Sequence, residues 1–236
     1  MKRATLTILA LMLVLGVWGW SAAGQFEGTK KKETDPGLAG AAPAYPLKVS
    51  ANGRYLVDQK GAPFLIAGDS PQALMVNLTE KDAEFFFANR ARHGFNTVWI
   101  NLLCRKGTGG RADGGTHDGL LPFKKADDFA TPNEAYFARC DRMLRLDRKH
   151  KLLVILDPCE TIDHLKPMLE NGPKKCREFG RYLGNRYKDF DNLLWMHGND
   201  FQTWKDPKHD EVVLAVARGS RIKTRATCTR SSWITW

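Results

Sequence analysis

Apolar strand segments alternate with amphipathic helical segments four times over residues 63–218. The strand segments are continuous apolar runs, which are typical of parallel strands covered on both faces. They lie at residues 63–67, 97–101, 152–156 and 192–196. A chain in which strands and helices alternate in this way folds around a parallel sheet. The sequence therefore predicts an α/β fold.

Polar residues follow each predicted strand, and Asp200 is the last residue of the segment Trp195-Met196-His197-Gly198-Asn199-Asp200. No glycine-rich nucleotide-binding motif follows the first strand. In a (β/α)₈ TIM barrel the catalytic groups lie at the C-terminal ends of the strands, and a whole barrel takes about 250 residues. We therefore predict a TIM barrel of the glycosidase type, with only about the first four βα units present.

The N-terminus has the pattern of an export signal. Lys2 and Arg3 precede an apolar stretch, and small residues follow it at 21–23. This pattern predicts a signal peptide over residues 1–23 and a periplasmic or extracellular protein with no membrane association after cleavage. An uncleaved membrane anchor is the alternative, because the apolar stretch approaches the length of a span. Residues 24–46 are rich in Lys, Ala, Gly and Pro and predict a disordered linker.

Charge and cysteine content exclude several classes of protein. The net charge is +10, but six of the positive charges lie at Lys2, Arg3, Arg221, Lys223, Arg225 and Arg230. The remainder is spread along helices, whereas a nucleic-acid-binding surface requires a concentrated patch. The five cysteines are odd in number and lack metal-binding spacing, so we expect no metal site and no cofactor. Buried free thiols are the favoured interpretation, and one disulfide remains an alternative.

Asp200 is the first candidate for catalysis, because glycosidases need carboxylates on either side of the scissile bond. From position alone, a capping role for Asp200 is equally compatible with the sequence. We expect the residues near it to bind an oligosaccharide or polysaccharide, with structural roles as the alternative. These predicted substrate-binding residues are Asp69, Gln72, Asn101, Asp157, Asn199 and Trp204. Glu160 is a further candidate, and His197 is interpreted as a packed histidine.

Several of these segments together resemble the apiosidase-like glycoside hydrolases. They include Gly68-Asp69-Ser70-Pro71, Gly94-Phe95-Asn96-Thr97, residues 131–137, residues 171–184 and the segment that ends at Asp200. The resemblance covers residues 47–218 and implies a (β/α)₈ barrel that cleaves side chains of plant cell-wall polysaccharides. It places the acid/base aspartate at Asp200. Asn199 stands where the family has a glycine, and Gln72 where it usually has tryptophan.

The family's second catalytic carboxylate belongs on a seventh strand, and the sequence pattern predicts only four. Residues 47–219 are therefore interpreted as the N-terminal half of a glycosidase domain. Residues 220–236 lose the strand–helix pattern, which we interpret as a frameshift near residue 220. A glycoside hydrolase is the leading hypothesis for the function. A non-catalytic truncated fragment or a carbohydrate-binding remnant is the alternative.

Overall fold

The computed structural model describes residues 42–199, 206–221 and 233–234. The predicted signal peptide and most of the predicted linker lie outside these residues. Within the described part, none of the helices combines the length and the apolar character needed to cross a bilayer.

A small antiparallel sheet comes first, with strands β1 (Lys48–Val49), β2 (Leu56–Val57) and β3 (Pro63–Phe64) in that order. The sequence of residues 47–62, with turns at Asn52-Gly53 and Lys60-Gly61, predicts a β-hairpin, and the pairing of the first two strands confirms it. Tyr45, inside the predicted linker, packs its ring 6.4 Å from that of Phe64. The end of the predicted linker is therefore part of the folded unit.

A parallel sheet of five strands follows, in chain order across the sheet. Its strands are β4 (Gly68–Asp69), β5 (Thr97–Asn101), β6 (Leu153–Asp157), β7 (Leu193–Met196) and β8 (Trp233–Ile234). Consecutive parallel strands with intervening helices form the arrangement of a (β/α)₈ barrel, and they provide five of its strands. The predicted α/β barrel class is confirmed.

Two strands differ from the sequence prediction. The first predicted strand, residues 63–67, is divided, because Pro63–Phe64 pairs with β2 and only Gly68–Asp69 pairs with β5. Leu65, between the two parts, is 83% exposed, although its apolar character had indicated burial. In addition, Trp233–Ile234 pairs with β7 in parallel, so the C-terminal tail contributes a fifth strand where four were predicted.

The helices are α1 (Leu74–Asn77), α2 (Glu80–Arg92), α3 (Glu134–Lys149), α4 (Thr161–Tyr187) and α5 (Pro207–Ser220), with a 3₁₀ turn at Lys106–Thr108. Thr79 followed by Asp82 is a sequence pattern that predicts a helix cap, and Thr79 caps α2 by accepting the amide N–H of Asp82. The sequence Thr131-Pro132-Asn133-Glu134 predicts a cap of α3 at Thr131, and this prediction is wrong. Asn133 caps that helix, because its side chain accepts the N–H of Ala135 while the Thr131 hydroxyl bonds to Asp128.

The segment Asn171-Gly172-Pro173 predicts a helix start at residue 171, but α4 begins ten residues earlier. The helix is interrupted at Gly172, where φ is +70°. Glycine tolerates this conformation because it has no Cβ. The early start is important for the site, since it places the first turn of α4 directly after the end of β6. Most of the core lies between these helices and the sheet, around Phe87, Phe137 and Phe179.

Candidate active site at the strand ends

The parallel register divides the sheet residues between two faces. Val98, Ile100, Val154 and Leu156 pack in the core with the helices. Side chains alternate along a strand, so the odd-numbered residues of β5 and β6 lie on the opposite, inner face. Asn101 and Asp157 are the last residues of β5 and β6 and are paired in register. Two of the predicted site residues therefore lie side by side at the C-terminal edge of the inner face.

Asn101 is fully buried, and only one of the two polar groups of its side chain has a hydrogen-bond partner within the described residues. Its Oδ1 accepts the indole N–H of Trp99 at 3.1 Å, whereas its Nδ2 has no hydrogen-bond partner within the described residues. Its backbone N–H donates to the carbonyl oxygen of Gln72 at 3.0 Å, which ties the β4–α1 connection to the end of β5. An unpaired buried amide is unusual in a folded protein and indicates a place for a polar partner.

Asn199 joins this group from the end of the next strand. Its side-chain amide lies 3.5 Å from the Oε1 of Gln72, and its own Oδ1 has no hydrogen-bond partner within the described residues. The preceding residue, Gly198, has φ of +82°, a turn that favours glycine. Asn199 is only 3% exposed, so its unpaired oxygen is shielded from bulk solvent. Gln72, Asn101, Asp157 and Asn199 thus form one polar cluster at the strand ends.

Asp157 is the buried carboxylate of the cluster. Its two oxygens accept the backbone N–H groups of Cys159 at 2.9 Å and of Asn199 at 3.3 Å. Burial raises its pKa to about 7, against the lowering effect of these two hydrogen bonds. Asp157 consequently joins the ends of β6 and β7 and holds a proton below neutral pH.

The pKa of Asp157 predicts an effect of pH on stability. An unfolded aspartate titrates near about 3.9. Between pH 4 and 7 the folded state binds more protons at Asp157 than the unfolded state does. The contribution of Asp157 to the free energy of unfolding therefore falls as pH rises. Burial of His197 lowers its pKa to about 3, which makes a contribution of opposite sign up to about pH 6.5.

We therefore expect Asp157→Asn to change the pH profile of the melting temperature. Without the Asp157 contribution, the melting temperature of the variant should rise more steeply between pH 4 and 6.5 than that of the unmodified chain. His197→Gln should change the slope in the opposite direction. Thermal unfolding followed by circular dichroism at intervals of half a pH unit measures both. Parallel profiles for Asp157→Asn and the unmodified chain would contradict the assignment.

Comparison with known proteins identifies the family. A family model described as the apiosidase-like catalytic domain matches residues 50–231. The chain belongs to this apiosidase-like family. No significant match was found among curated proteins.

Solved structures share the fold of this apiosidase-like chain. A glycoside hydrolase of family 5 from Bacteroides vulgatus superposes with a TM-score of 0.64 and 22% identity over 74% of this chain. A second glycoside hydrolase gives 0.62 and 23% over 75%. A family 5 mannosidase from Rhizomucor miehei gives 0.53 and 13% over 76%. The chain spans 37%, 38% and 55% of the lengths of these three proteins.

Asp69 lies apart from the polar cluster of the apiosidase-like site. It is in register with Val98, whose side chain is in the helix-side core, and its carboxylate accepts a 2.5 Å ion-paired hydrogen bond from Arg90 on α2. This places Asp69 on the opposite face of the sheet from Asn101. The structure therefore groups Gln72, Asn101, Asp157 and Asn199 and separates Asp69 from them. Asp200 and Trp204 lie outside the described residues.

The other residues singled out from the sequence have structural contacts. Glu160 is fully buried, caps α4 by accepting the N–H of Asp163 at 3.1 Å, and pairs with His164 at 2.6 Å. His197 is buried and stacks on Trp195 with ring centroids 6.2 Å apart. Thr161 was not among the residues predicted from the sequence, and its hydroxyl donates to the backbone oxygen of Asn199.

The loop that joins β5 to α3, residues 102–133, reaches the C-terminal edge of the sheet. The backbone N–H of Gly107 donates to Asp163 Oδ2 at 2.6 Å, which fixes the loop to the first turn of α4. A pocket of about 180 Å³ lies there, lined by Arg105, Lys106, Ala112 and Asp163. The loop therefore adds polar groups beside the strand ends.

The cysteines beside the site have structural contacts; the thiol of Cys104, for example, donates to the backbone oxygen of Gln72 at 3.2 Å. Cys104, Cys140, Cys159 and Cys176 are buried free thiols, as favoured from the sequence. Burial raises the pKa of Cys140 to about 12, so this thiol stays protonated. Among the described residues no cluster of histidine, cysteine and carboxylate groups has the arrangement of a metal site.

Proposed function

We propose that this chain carries the acid/base part of a glycoside hydrolase site that acts on side chains of plant cell-wall polysaccharides. In this proposal Asp200 transfers the proton, and Gln72, Asn101 and Asn199 bind sugar hydroxyls beside it. The family membership supports the reaction class, and the position of Asp200 directly after Asn199 supports its role.

One observation carries the sugar-binding part of this proposal. Asn101 and Asn199 are both buried at the strand ends. Within the part of the chain that the structure describes, the amide donor of Asn101 and the side-chain carbonyl acceptor of Asn199 have no hydrogen-bond partner. A sugar hydroxyl is both a donor and an acceptor, so adjacent hydroxyls of one sugar ring can satisfy both groups. Buried amides that orient a ligand in this way provide specificity rather than bulk affinity.

The position of Asp200 in the sequence supports the chemistry proposed for it. A general acid must lie within hydrogen-bond reach of the glycosidic oxygen while the sugar ring is held in place. Asp200 directly follows Asn199, one of the residues proposed to bind the ring. The second carboxylate of the reaction, which the resemblance assigns to a seventh strand, lies beyond the five parallel strands of the described residues.

A binding role without turnover is the second candidate. It is favoured by the buried amide side chains of Asn101 and Asn199, which can orient a ligand without a reacting carboxylate. The amide cluster alone can bind a sugar, whereas hydrolysis needs both carboxylates. Incubation with plant cell-wall oligosaccharides, followed by chromatography of the products, separates the two candidates.

We expect Asn101→Ala to weaken saccharide binding about 10-fold, because it removes the amide that has no hydrogen-bond partner among the described residues. Isothermal titration with cell-wall oligosaccharides measures the dissociation constant. Asn185→Ala is the matched control, since Asn185 is an exposed residue of α4 far along the chain from the strand ends. Equal affinities for the two variants, with unchanged melting temperatures, would remove Asn101 from the sugar site. Absence of binding by the unmodified chain would contradict the proposed function.

A further inference from the structure

We propose that Trp99 is a positioning residue that sets the orientation of the Asn101 side-chain amide, so that this part of the sugar site offers a hydrogen-bond donor. The inference rests on the proposed function, because it concerns the same sugar contact. It gives a role to an indole inside β5, and it defines the group that Asn101 binds as an acceptor oxygen of the sugar.

Trp99 and Asn101 lie on the same face of β5. They are two residues apart, so both side chains project from the inner face of the sheet. Trp99 is in register with Ile155 of β6, and Asn101 is in register with Asp157. The indole N–H of Trp99 donates to Asn101 Oδ1 at 3.1 Å. The two side chains are therefore directly connected along one strand, which is a rigid support for a binding group.

The backbone of Asn101 is held independently of its side chain. Its N–H donates to the carbonyl oxygen of Gln72 at 3.0 Å, and the N–H of Leu102 donates to the carbonyl oxygen of Asp157 at 2.8 Å. The peptide groups on both sides of Asn101 are thus fixed to neighbouring segments. The freedom left to the amide is rotation about its last torsion, which exchanges the positions of its oxygen and nitrogen.

The chemistry of the indole decides between the two amide orientations. An indole nitrogen only donates, so it pairs with the oxygen of an asparagine amide and not with the NH₂ group. With Oδ1 turned towards Trp99, Nδ2 takes the other position. Nδ2 is buried and has no hydrogen-bond partner among the described residues. A buried donor of this kind needs an acceptor, and a sugar hydroxyl oxygen is one.

The reverse orientation is unfavourable. It would place the Nδ2 hydrogens against the indole N–H, and neither donor would have an acceptor there. Asn101 is 0% exposed, so bulk solvent does not replace the lost hydrogen bond. Leaving a buried group unsatisfied costs more than an ordinary hydrogen bond contributes. Trp99 therefore orients the donor before a sugar binds, which lowers the ordering cost of binding. In this proposal Trp99 acts through Asn101 and does not contact the sugar.

Trp99→Phe tests the inference, because it keeps an aromatic ring and removes the N–H donor. We expect it to weaken oligosaccharide binding about 5-fold, the ordinary contribution of one hydrogen bond. In a chain that already carries Asn101→Ala, the same substitution should change the dissociation constant by less than about 1.5-fold, because no amide is left to orient. Isothermal titration of the unmodified chain, the two single variants and the double variant measures this coupling.

Two results of the titration would overturn the proposal. An equal loss of affinity with and without Asn101→Ala would show that Trp99 supports the site through packing alone. Unchanged affinity for Trp99→Phe would show that the indole N–H does not prepare the amide.

A second readout does not require a ligand. In NMR spectra of the labelled chain, Asn101→Ala should move the indole N–H signal of Trp99 and speed its hydrogen exchange. Asn101→Asp keeps an oxygen acceptor and should restore slow exchange, and Asn101→Leu replaces the alanine variant if that variant is unstable. An indole signal that Asn101→Ala leaves unchanged overturns the inference. If the unmodified chain binds no saccharide, the proposed function fails, and the indole signal still decides whether Trp99 orients Asn101.

Discussion

Replacing Asp200 with asparagine is expected to lower the rate of glycoside hydrolysis about 100- to 10,000-fold, the usual contribution of a positioned general acid or base. Asparagine has nearly the same shape but cannot donate the proton to the leaving oxygen. Affinity for the oligosaccharide should change little, since the proposed sugar contacts come from Gln72, Asn101 and Asn199. Initial rates and titration calorimetry on the same preparations measure the two quantities.

Asp206→Asn is the matched control for this prediction. Asp206 lies six positions after Asp200 in the chain and caps α5 by accepting the N–H of Lys208 at 2.9 Å. Asparagine is an equally good helix cap, so this change should leave both stability and activity near those of the unmodified chain. A hydrolytic rate that survives Asp200→Asn would show that another group transfers the proton.

Replacing Gly180 with alanine is expected to lower the free energy of unfolding by about 3 kcal/mol, at the upper end of the range for overpacked cores. Gly180 lies in α4 where it meets α5. A Cβ placed on it would overlap the carbonyl oxygen of Val216, and one on Gly184 would lie 2.6 Å from that of Ser220. Because these neighbours are backbone atoms, the helices themselves would have to move apart.

The expected change in stability for Gly180→Ala has the opposite sign to that of an ordinary glycine-to-alanine substitution in a helix. In an unobstructed helix, glycine to alanine stabilises by about 0.5–1 kcal/mol. We expect Gly180→Ala to lower the melting temperature by roughly 6–12 °C for a domain of this size. Asn185→Ala, on the exposed side of the same helix, should raise it slightly through helix propensity. A Gly180→Ala variant as stable as the unmodified chain would contradict the close contact between α4 and α5.

The local features of this fold follow from the sequence. Apolar runs of strand length identify the segments that become β5, β6 and β7, because a parallel strand is buried on both faces. The cap at Thr79 is equally local, since it depends on residues within one turn. Asn101 and Asp157 were placed at strand ends for the same reason. The position at which a strand ends along the chain decides which residues lie at the C-terminal edge of the sheet.

Pairing between distant segments was not available from the sequence. Residues 63–67 have one apolar pattern, yet they serve two different sheets, because Phe64 finds its partner in β2. Asp69 follows the first predicted strand and Asn101 ends the second, yet they lie on opposite faces of the sheet. A shift of one residue in register reverses the face of a side chain, and no local pattern fixes that register.

The sequence determined which residues of the site lie at the strand ends, and the tertiary structure determined how those residues are connected. Thr161 reaches Asn199 across 38 positions, and Gln72 reaches it across 127. Such contacts depend on where strands and helices pack. Periodicity reports the burial and backbone conformation of a segment, whereas the unpaired groups of Asn101 and Asn199 result from which neighbours the fold brings to them.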